Sequence, residues 1–312
     1  MGDATPQGSS HGGHSGHGHS HAIGPDANVR RLSIALALIV SFMVVEVIVG
    51  IAVSSLALLS DAAHMLTDAA AIVLSLVAIR LAARPAKGAL TYGLKRAEIL
   101  AAQVNGATLL VLGLLIVIEG VQRIVHPPEV EGAPVLIVAI VGVVVNLIAA
   151  WVLAGADRRS LNVEGSFQHV LTDLYAFIAT AVAGAVMLLT DWRQADGVAA
   201  LFVAATMLRA AYSLLMASGR VFLEAAPAGL DPEAIGHAMA CQPDVVEVHD
   251  LHVWEVTSGF PALSAHILVA READWHAVRL RLAEALERDF GITHSTIQVD
   301  QDGDQLLEIA PL

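Results

Sequence analysis

The sequence predicts an all-α domain of six transmembrane helices, followed by a small C-terminal α+β domain of ferredoxin-like type. Of the 312 residues, 56% are hydrophobic and only 15% are charged, and the mean hydropathy is +0.66. This composition is typical of membrane proteins. Six apolar stretches are each long enough to cross a hydrocarbon core of about 30 Å. The net charge of −13 is uneven, because 16 acidic residues and only four Arg follow from Glu224 onward.

The N-terminal 28 residues have no apolar periodicity and are predicted to be a disordered, His-rich cytoplasmic N-terminus. The run HGGHSGHGHSH at 11–21 offers imidazoles for loose metal capture, and a purely solubilising tail is the alternative. The stretch lacks an apolar segment of the kind found in signal peptides. We therefore expect the first apolar stretch to be a permanent span.

The distribution of Lys and Arg around the spans predicts the orientation in the membrane. The loops on one side hold ten Lys and Arg, whereas those on the other hold only Arg123 and Arg193. Positive charge accumulates on the cytoplasmic side, so both termini of this multi-pass protein are predicted to be cytoplasmic. The single cysteine, Cys241, excludes a disulfide within the chain. The predicted spans are 31–53, 57–82, 97–122, 134–155, 166–190 and 196–218.

The pattern after residue 220 changes to that of a small cytoplasmic domain. A helix is predicted to begin after Asp231, with Pro232 in its first turn. Two strands joined at Ser258-Gly259, a second helix ending at Gly291 and a closing strand at 292–300 follow. The predicted domains are therefore 1–28, 29–220 for transport and 221–312, called the tail domain below. Its acidity argues against a nucleic-acid partner and suits cations.

Two copies of one polar motif lie inside predicted spans, where ionisable side chains are expensive. The pattern H-x-L-T-D occurs at 64–68 in the second span and at 169–173 in the fifth. Because residues i and i+4 share a helix face, each span presents one imidazole and one carboxylate together. His64, Asp68, His169 and Asp173 could thus form a tetrahedral site that suits Zn²⁺, and the two carboxylates would offset its charge.

The polar residues in the spans could instead have purely structural or supporting roles. The two His–Asp pairs could simply connect helices by hydrogen bonds. Asp61 lies three residues before His64 and is expected to orient an imidazole or to carry protons rather than to bind the ion. Asn105 and Asn146 are expected to form hydrogen bonds between helices.

The sequence resembles the cation diffusion facilitator family of zinc transporters. The resemblance runs through SLALLSDAAHMLTD (55–68), TYGLKRAEILAAQVN (91–105), NVEGSFQHVLTD (162–173) and VHDLHVWEVTSGFPALSAHI (248–267). It implies six spans in a bacterial-type cell membrane, a dimerising tail domain and exchange of Zn²⁺ for H⁺. It also implies that His64, Asp68, His169 and Asp173 form the transport site, and that Arg96 pairs with an acid such as Glu224.

The resemblance further implies regulatory zinc sites in the tail domain, at His249, His266, His276 and Asp300. His249 and His266 are on adjacent predicted strands and could meet across them. His249 and His252 are three residues apart, so on a regular strand without a bulge they face opposite sides. The alternative is that these are ordinary surface and interface histidines.

The function predicted from the sequence is export of cytosolic Zn²⁺, with Cd²⁺ and Co²⁺ as further candidate ions, by a proton-coupled homodimer in the lipid bilayer. The alternatives are a passive metal channel, an intramembrane metallohydrolase and a metal sensor. No HExxH or GxSxG motif occurs, and four protein ligands leave no open position for a catalytic water, so no enzymatic activity is expected. A sensor would not explain ligands buried in the membrane part.

Overall fold

Six long helices form the N-terminal part of the computed structural model, which describes residues 25–52, 56–127, 132–190 and 192–302. The side chains of 25–26, 49–50, 52, 56–64 and 132–135 lie outside that description. All six helices are long and apolar enough to span a membrane, which confirms the predicted number. They are α1 Pro25–Ala52, α2 Leu56–Ala82, α3 Ala97–Val125, α4 Gly132–Ala154, α5 Leu161–Thr190 and α6 Ala195–Phe222.

Two helices begin earlier than the hydropathy pattern predicts. Helix α1 begins at Pro25 rather than at 31, within the stretch expected to be disordered, while residues 1–24, including the histidine run, lie outside the described part. The side chain of Asn28 is buried and accepts a hydrogen bond from the backbone N–H of Asp157. Helix α5 begins at Leu161 rather than at 166, and its first turns bury Asn162, Val163 and Gly165.

Helices α3 and α6 pack closely along a glycine seam. Three glycines of α3 recur at seven-residue intervals, and a Cβ added at any of them would lie 2.9–3.0 Å from a leucine side chain of α6. The absence of side chains therefore lets the two helices approach. The seam consists of the pairs Gly106–Leu215, Gly113–Leu208 and Gly120–Leu201.

The other four helices share a separate apolar core. Buried side chains such as Leu32 of α1, Ile72 of α2, Leu153 of α4 and Val170 of α5 belong to one cluster. The candidate ligands on α2 and α5 lie within this group of helices, beside members of the apolar cluster in sequence.

The tail domain is a three-stranded mixed sheet with two helices, as predicted. Its elements are α7 Pro232–Ala240, β1 Val245–Thr257, β2 Phe260–Val269, α8 Trp275–Phe290 and β3 His294–Gln301. The sheet order is β1-β2-β3, with β1 antiparallel and β3 parallel to β2. Helix α8 provides the crossover that the parallel pair needs. The side chain of Asp231 accepts a hydrogen bond from the Glu233 N–H, so Asp231 caps α7 as predicted.

The turn between β1 and β2 connects the tail domain to the helices. Thr257 donates a hydrogen bond to the Lys95 carbonyl (3.1 Å), and the backbone N–H of Leu161 donates one to Ser258 Oγ (3.1 Å). The ammonium group of Lys95 lies 4.2 Å from the centroid of the Phe260 ring. The turn thus contacts both the α2–α3 loop and the beginning of α5.

The charge pair implied by the family resemblance is present within one chain. A guanidinium nitrogen of Arg96 lies 3.3 Å from Oε1 of Glu224, just beyond the end of α6. Both side chains are largely exposed, so the pair contributes little to stability by itself.

Candidate metal site

Three of the four predicted transport ligands converge between α2 and α5. His169 Nε2 lies 2.5 Å from Asp68 Oδ1, and Asp173 lies one turn after His169 on α5. One ligand atom from each of these residues lies within 4.8 Å of the others. All three residues are buried, with at most 6% of their surface exposed. Among the described residues, this is the one group of three or more such side chains close enough to hold an ion.

The fourth predicted ligand, His64, lies outside the described side chains, as does Asp61. The backbone of α2 is helical through both positions. His64 therefore precedes Asp68 by about one turn, on the same helix face.

The apolar neighbours of the three ligands raise the free energy of any unpaired charged group at this site. Met65 and Ile72 on α2, and Val170 and Leu174 on α5, are buried neighbours of the ligands in sequence and belong to the apolar cluster. A carboxylate or a bare divalent ion would be unstable in such an environment without a partner of opposite charge. Two carboxylates and a 2+ ion cancel each other's charge, so this ligand set fits a divalent cation.

A second group of buried polar side chains lies one to two helical turns from these ligands, and we call it the polar layer. It consists of Ser75 on α2, Asn105 on α3, and Asn162 and Ser166 on α5, none of them more than 1% exposed. The hydroxyl oxygens of Ser75 and Ser166 are 2.7 Å apart, and Asn105 Nδ2 donates to Ser75 Oγ (3.3 Å). Only Asn105 is identifiable from the sequence, because single serines and an asparagine in a first helical turn give no periodic signal.

In the tail domain, the structure brings His249 and His266 together. They are direct partners across β1 and β2, and their ring centroids are 5.5 Å apart. The strand pairing shifts between His249 and His252, at Asp250, whose φ is 52°. His252 Nε2 lies 2.8 Å from Asp250 Oδ1, and His266 Nε2 lies 3.8 Å from Asp250 Oδ2. His252 pairs with Ser264, two residues from His266 on β2, so His249 and His252 lie on the same face and the rule for a regular strand does not hold across this irregularity.

Asp250 is ionised at neutral pH and is thus a competent ligand. The hydrogen bond from His252 is the largest cause that holds the pKa of Asp250 below its ordinary value, and the charges of His252, His266 and His249 act in the same direction.

The other two predicted tail-domain ligands, His276 and Asp300, contact other side chains. The His276 ring packs edge-on against Trp275 at the beginning of α8, with 5.7 Å between the centroids. Asp300 accepts a hydrogen bond from Gln298 Nε2 (3.1 Å), and Gln298 pairs with His266 across the strands. Within the described part of one chain, no group of three tail-domain ligands is close enough to hold an ion, and this includes the His249–His266 pair with Asp250.

Comparison with known proteins matches both parts of the chain to one family. Residues 32–223 match the cation efflux transmembrane domain, and residues 227–302 match the cytoplasmic domain of cation efflux proteins.

Similar full-length proteins include transporters from several bacteria. The chain is 37% identical over 290 residues to the cadmium, cobalt and zinc/H⁺-K⁺ antiporter of Bacillus velezensis, covering 91% of this chain and 92% of that protein. It is 38% identical over 286 residues to the zinc transporter ZitB of Pectobacterium atrosepticum, covering 91% and 88%. A solved structure, the metal-bound C-terminal domain of the CzcD transporter from Cupriavidus metallidurans, covers 23% of this chain and 99% of that domain, at 32% identity and a TM-score of 0.22.

Proposed function

The chain belongs to the cation diffusion facilitator family of multi-pass metal-ion transporters, which are not enzymes, and from this premise we propose that it exports Zn²⁺ from the cytoplasm in exchange for protons. The single observation that carries the proposal is the contact of 2.5 Å between His169 Nε2 and Asp68 Oδ1. An imidazole nitrogen and a carboxylate oxygen this close share a proton, because two lone pairs would repel each other. The proton occupies the two atoms that a metal ion would need.

Metal and proton therefore compete for the same lone pairs. Zn²⁺ binds a neutral imidazole and ionised carboxylates. We propose that the metal-free pair holds two protons, one between Asp68 and His169 and one on the other ring nitrogen of His169, so that zinc binding leaves one proton on the imidazole and releases the other. Protonation of Asp68 and His169 removes their lone pairs from the ion and releases it. Asp173 contributes the second carboxylate, which balances the 2+ charge, and His64 is the proposed fourth ligand.

The ligand set also bears on selectivity. Two imidazoles and two carboxylates at tetrahedral distances suit Zn²⁺. The larger Cd²⁺ and the related Co²⁺ remain candidate ions, because nitrogen and oxygen ligands accept several divalent metals. The names of the relatives include cadmium and cobalt as well as zinc, which supports testing all three.

The proposed setting is a homodimer in a bacterial-type cell membrane with both termini in the cytoplasm. The excess of Lys and Arg on the side of the tail domain supports this orientation. The match of residues 227–302 to the cytoplasmic domain of cation efflux proteins supports the placement of the tail domain, which resembles the family's dimerising domain.

We further propose that zinc binds the tail domain and regulates transport. The cross-strand His249–His266 pair, with Asp250 beside it, supports a site of this kind. His276 and Asp300 would join such a site only if the domain rearranged or a second subunit approached.

Metal-dependent proton flux in reconstituted vesicles tests the proposal. A pH-sensitive dye inside the vesicles should report proton movement opposite to the flow of Zn²⁺, and a panel with Cd²⁺, Co²⁺ and Mn²⁺ defines the selectivity. Asp173→Ala and His64→Ala should abolish the flux, while the matched exposed-site change Asp289→Ala should not. Zinc movement without any proton counterflow would support the alternative, a passive metal channel.

A further inference from the structure

The polar layer lies between the metal ligands and the tail domain. Ser75 follows Asp68 by seven residues on α2, and Asn162 precedes His169 by seven residues on α5, about 10 Å in each case at 1.5 Å per residue. Asn162 directly follows Leu161, whose N–H bonds to Ser258 of the tail domain. On both helices, the direction from the metal ligand to the polar layer is therefore toward the tail domain. At this level α2 and α5, the two helices that carry the ligands, are in direct contact.

The hydrogen bonds of the layer hold α2 and α5 together. Besides the Ser75–Ser166 contact, Asn162 Nδ2 donates to the backbone carbonyl of Ser75 (2.9 Å), and Ser166 Oγ donates to the Asn162 carbonyl (3.3 Å). Two of these bonds cross directly from one helix to the other. The layer thus closes the space between the helices that carry the metal ligands.

One atom of the layer is not explained by a purely structural role. The amide oxygen of Asn162 is buried and has no hydrogen-bond partner among the residues that the structure describes, although buried polar atoms are nearly always paired. Side chains that only connect helices would be expected to satisfy all their polar atoms. An unpaired oxygen is instead available to water or to a hydrated ion when the helices separate.

We propose that the polar layer is the gate of the ion path on the tail-domain side, an inference that rests on the proposed transport function. An apolar gate would expose hydrocarbon to water each time it opened. A gate of neutral hydrogen-bonding groups exchanges its internal hydrogen bonds for bonds to water, with little net change in free energy. Its open and closed states therefore stay close in energy, as a repeated transport cycle requires. Asn162 Oδ1 offers an oxygen to the passing hydrated ion.

A reversible disulfide across the gate tests this role. Ser75→Cys and Ser166→Cys are combined with Cys241→Ala, which removes the exposed native thiol. The hydroxyl oxygens are 2.7 Å apart, so the replacement sulfurs lie close enough to join at about 2.0 Å after small adjustments. Oxidation should lower zinc transport at least about tenfold, and reductant should restore it, because the closed state is trapped. Each single cysteine in the same background is the matched control and should not respond to oxidant.

The zinc affinity of the oxidised variant distinguishes a gate from a binding site. In detergent micelles, both faces of the protein are accessible, and the oxidised variant should keep its zinc affinity within about threefold, because the layer supplies no permanent ligand. Transport by the oxidised protein within about twofold of the reduced protein would overturn the proposal. So would failure of the disulfide to form during turnover, since the closed contact would then not be visited.

Ser166→Ala provides a second test that does not depend on the disulfide. It weakens the closed state, so the KM for zinc supplied from the tail-domain side should fall about threefold while the affinity in micelles stays unchanged. An unchanged KM would contradict the gate. If the wild-type protein itself moves no zinc, then the proposed function fails. This result differs from a failure of the gate, in which the wild-type protein transports zinc and the variants behave like it.

Discussion

The contact between Asp68 and His169 joins a carboxylate and an imidazole for which, in the proposed function, ion and proton compete. Both residues are nearly completely buried. Removing one partner of such a pair leaves the other without compensation and typically costs about 3–5 kcal/mol. Isosteric substitutions are therefore more informative than truncations, because they preserve the packing while they change the lone pairs.

Asp68→Asn should remove most of the thermal stabilisation that zinc gives the transport domain. An ion at about 100 times its Kd stabilises the folded state by about 2.7 kcal/mol, which corresponds to a rise in Tm of about 5–10 °C for a domain of this size. The asparagine keeps the shape of the side chain but loses the carboxylate charge. The measurement is a thermal melt in detergent with and without zinc, in a His249→Ala/His266→Ala background. An undiminished zinc shift in Asp68→Asn would exclude this carboxylate as a ligand.

The tail-domain histidines should differ in their effect on zinc binding. His249→Ala or His266→Ala should weaken tail-domain binding at least about tenfold, because the two rings face each other across the strands, whereas His276→Ala should have little effect in the monomeric protein. Isothermal titration of full-length Asp68→Asn protein measures the tail site separately. Equal losses for His276→Ala and His249→Ala would show that the site includes α8.

At the scale of whole helices, the seam between α3 and α6 is a feature that hydropathy did not predict. Gly106, Gly113 and Gly120 are seven residues apart, but each is only a small apolar residue within an apolar span. Their role appears only when the opposing leucines of α6 are located. The seam makes α3 and α6 one closely packed pair beside the four helices that share the apolar core.

Gly113→Val should destabilise the protein by about 1–3 kcal/mol, because an added Cβ would lie 2.9 Å from Leu208 and the branches would force the helices apart. Gly219→Val on α6 is the matched control. A Cβ at Gly219 meets no described atom within 4 Å, so the stability of this variant should stay the same or rise slightly. Denaturation in detergent compares the two variants. Equal effects at both positions would mean that the seam is not closely packed in the membrane.

Ser258→Ala should loosen the link between the tail domain and α5. The serine hydroxyl accepts the first backbone N–H of α5, and loss of a capping group of this kind costs about 1 kcal/mol. We expect faster hydrogen exchange at the beginning of α5 and a weaker effect of tail-domain zinc on transport. Ser295→Ala, on β3, serves as the control. Unchanged exchange at Leu161 and its neighbours would contradict the contact.

For the molecule as a whole, the sequence predicted those features that follow from long apolar stretches or from a regular spacing of residues. The six spans follow from apolar length, and the convergence of Asp68, His169 and Asp173 follows from a motif repeated at i and i+4. The early beginning of α5, the polar layer and the strand irregularity at Asp250 were not predictable. Each depends on which polar group meets which partner across helices or strands, and composition and periodicity do not contain that information.

The release of protons on zinc binding is the direct test of the competition between metal and proton. Zinc is added to weakly buffered His249→Ala/His266→Ala protein, with and without Asp68→Asn, and the pH change is recorded. We expect release of about one proton per bound ion from the transport site that keeps Asp68, because the proposed metal-free pair of Asp68 and His169 holds one proton more than the neutral imidazole that binds zinc, and little release from Asp68→Asn. Stoichiometric zinc binding without proton release from the wild-type site would contradict this competition.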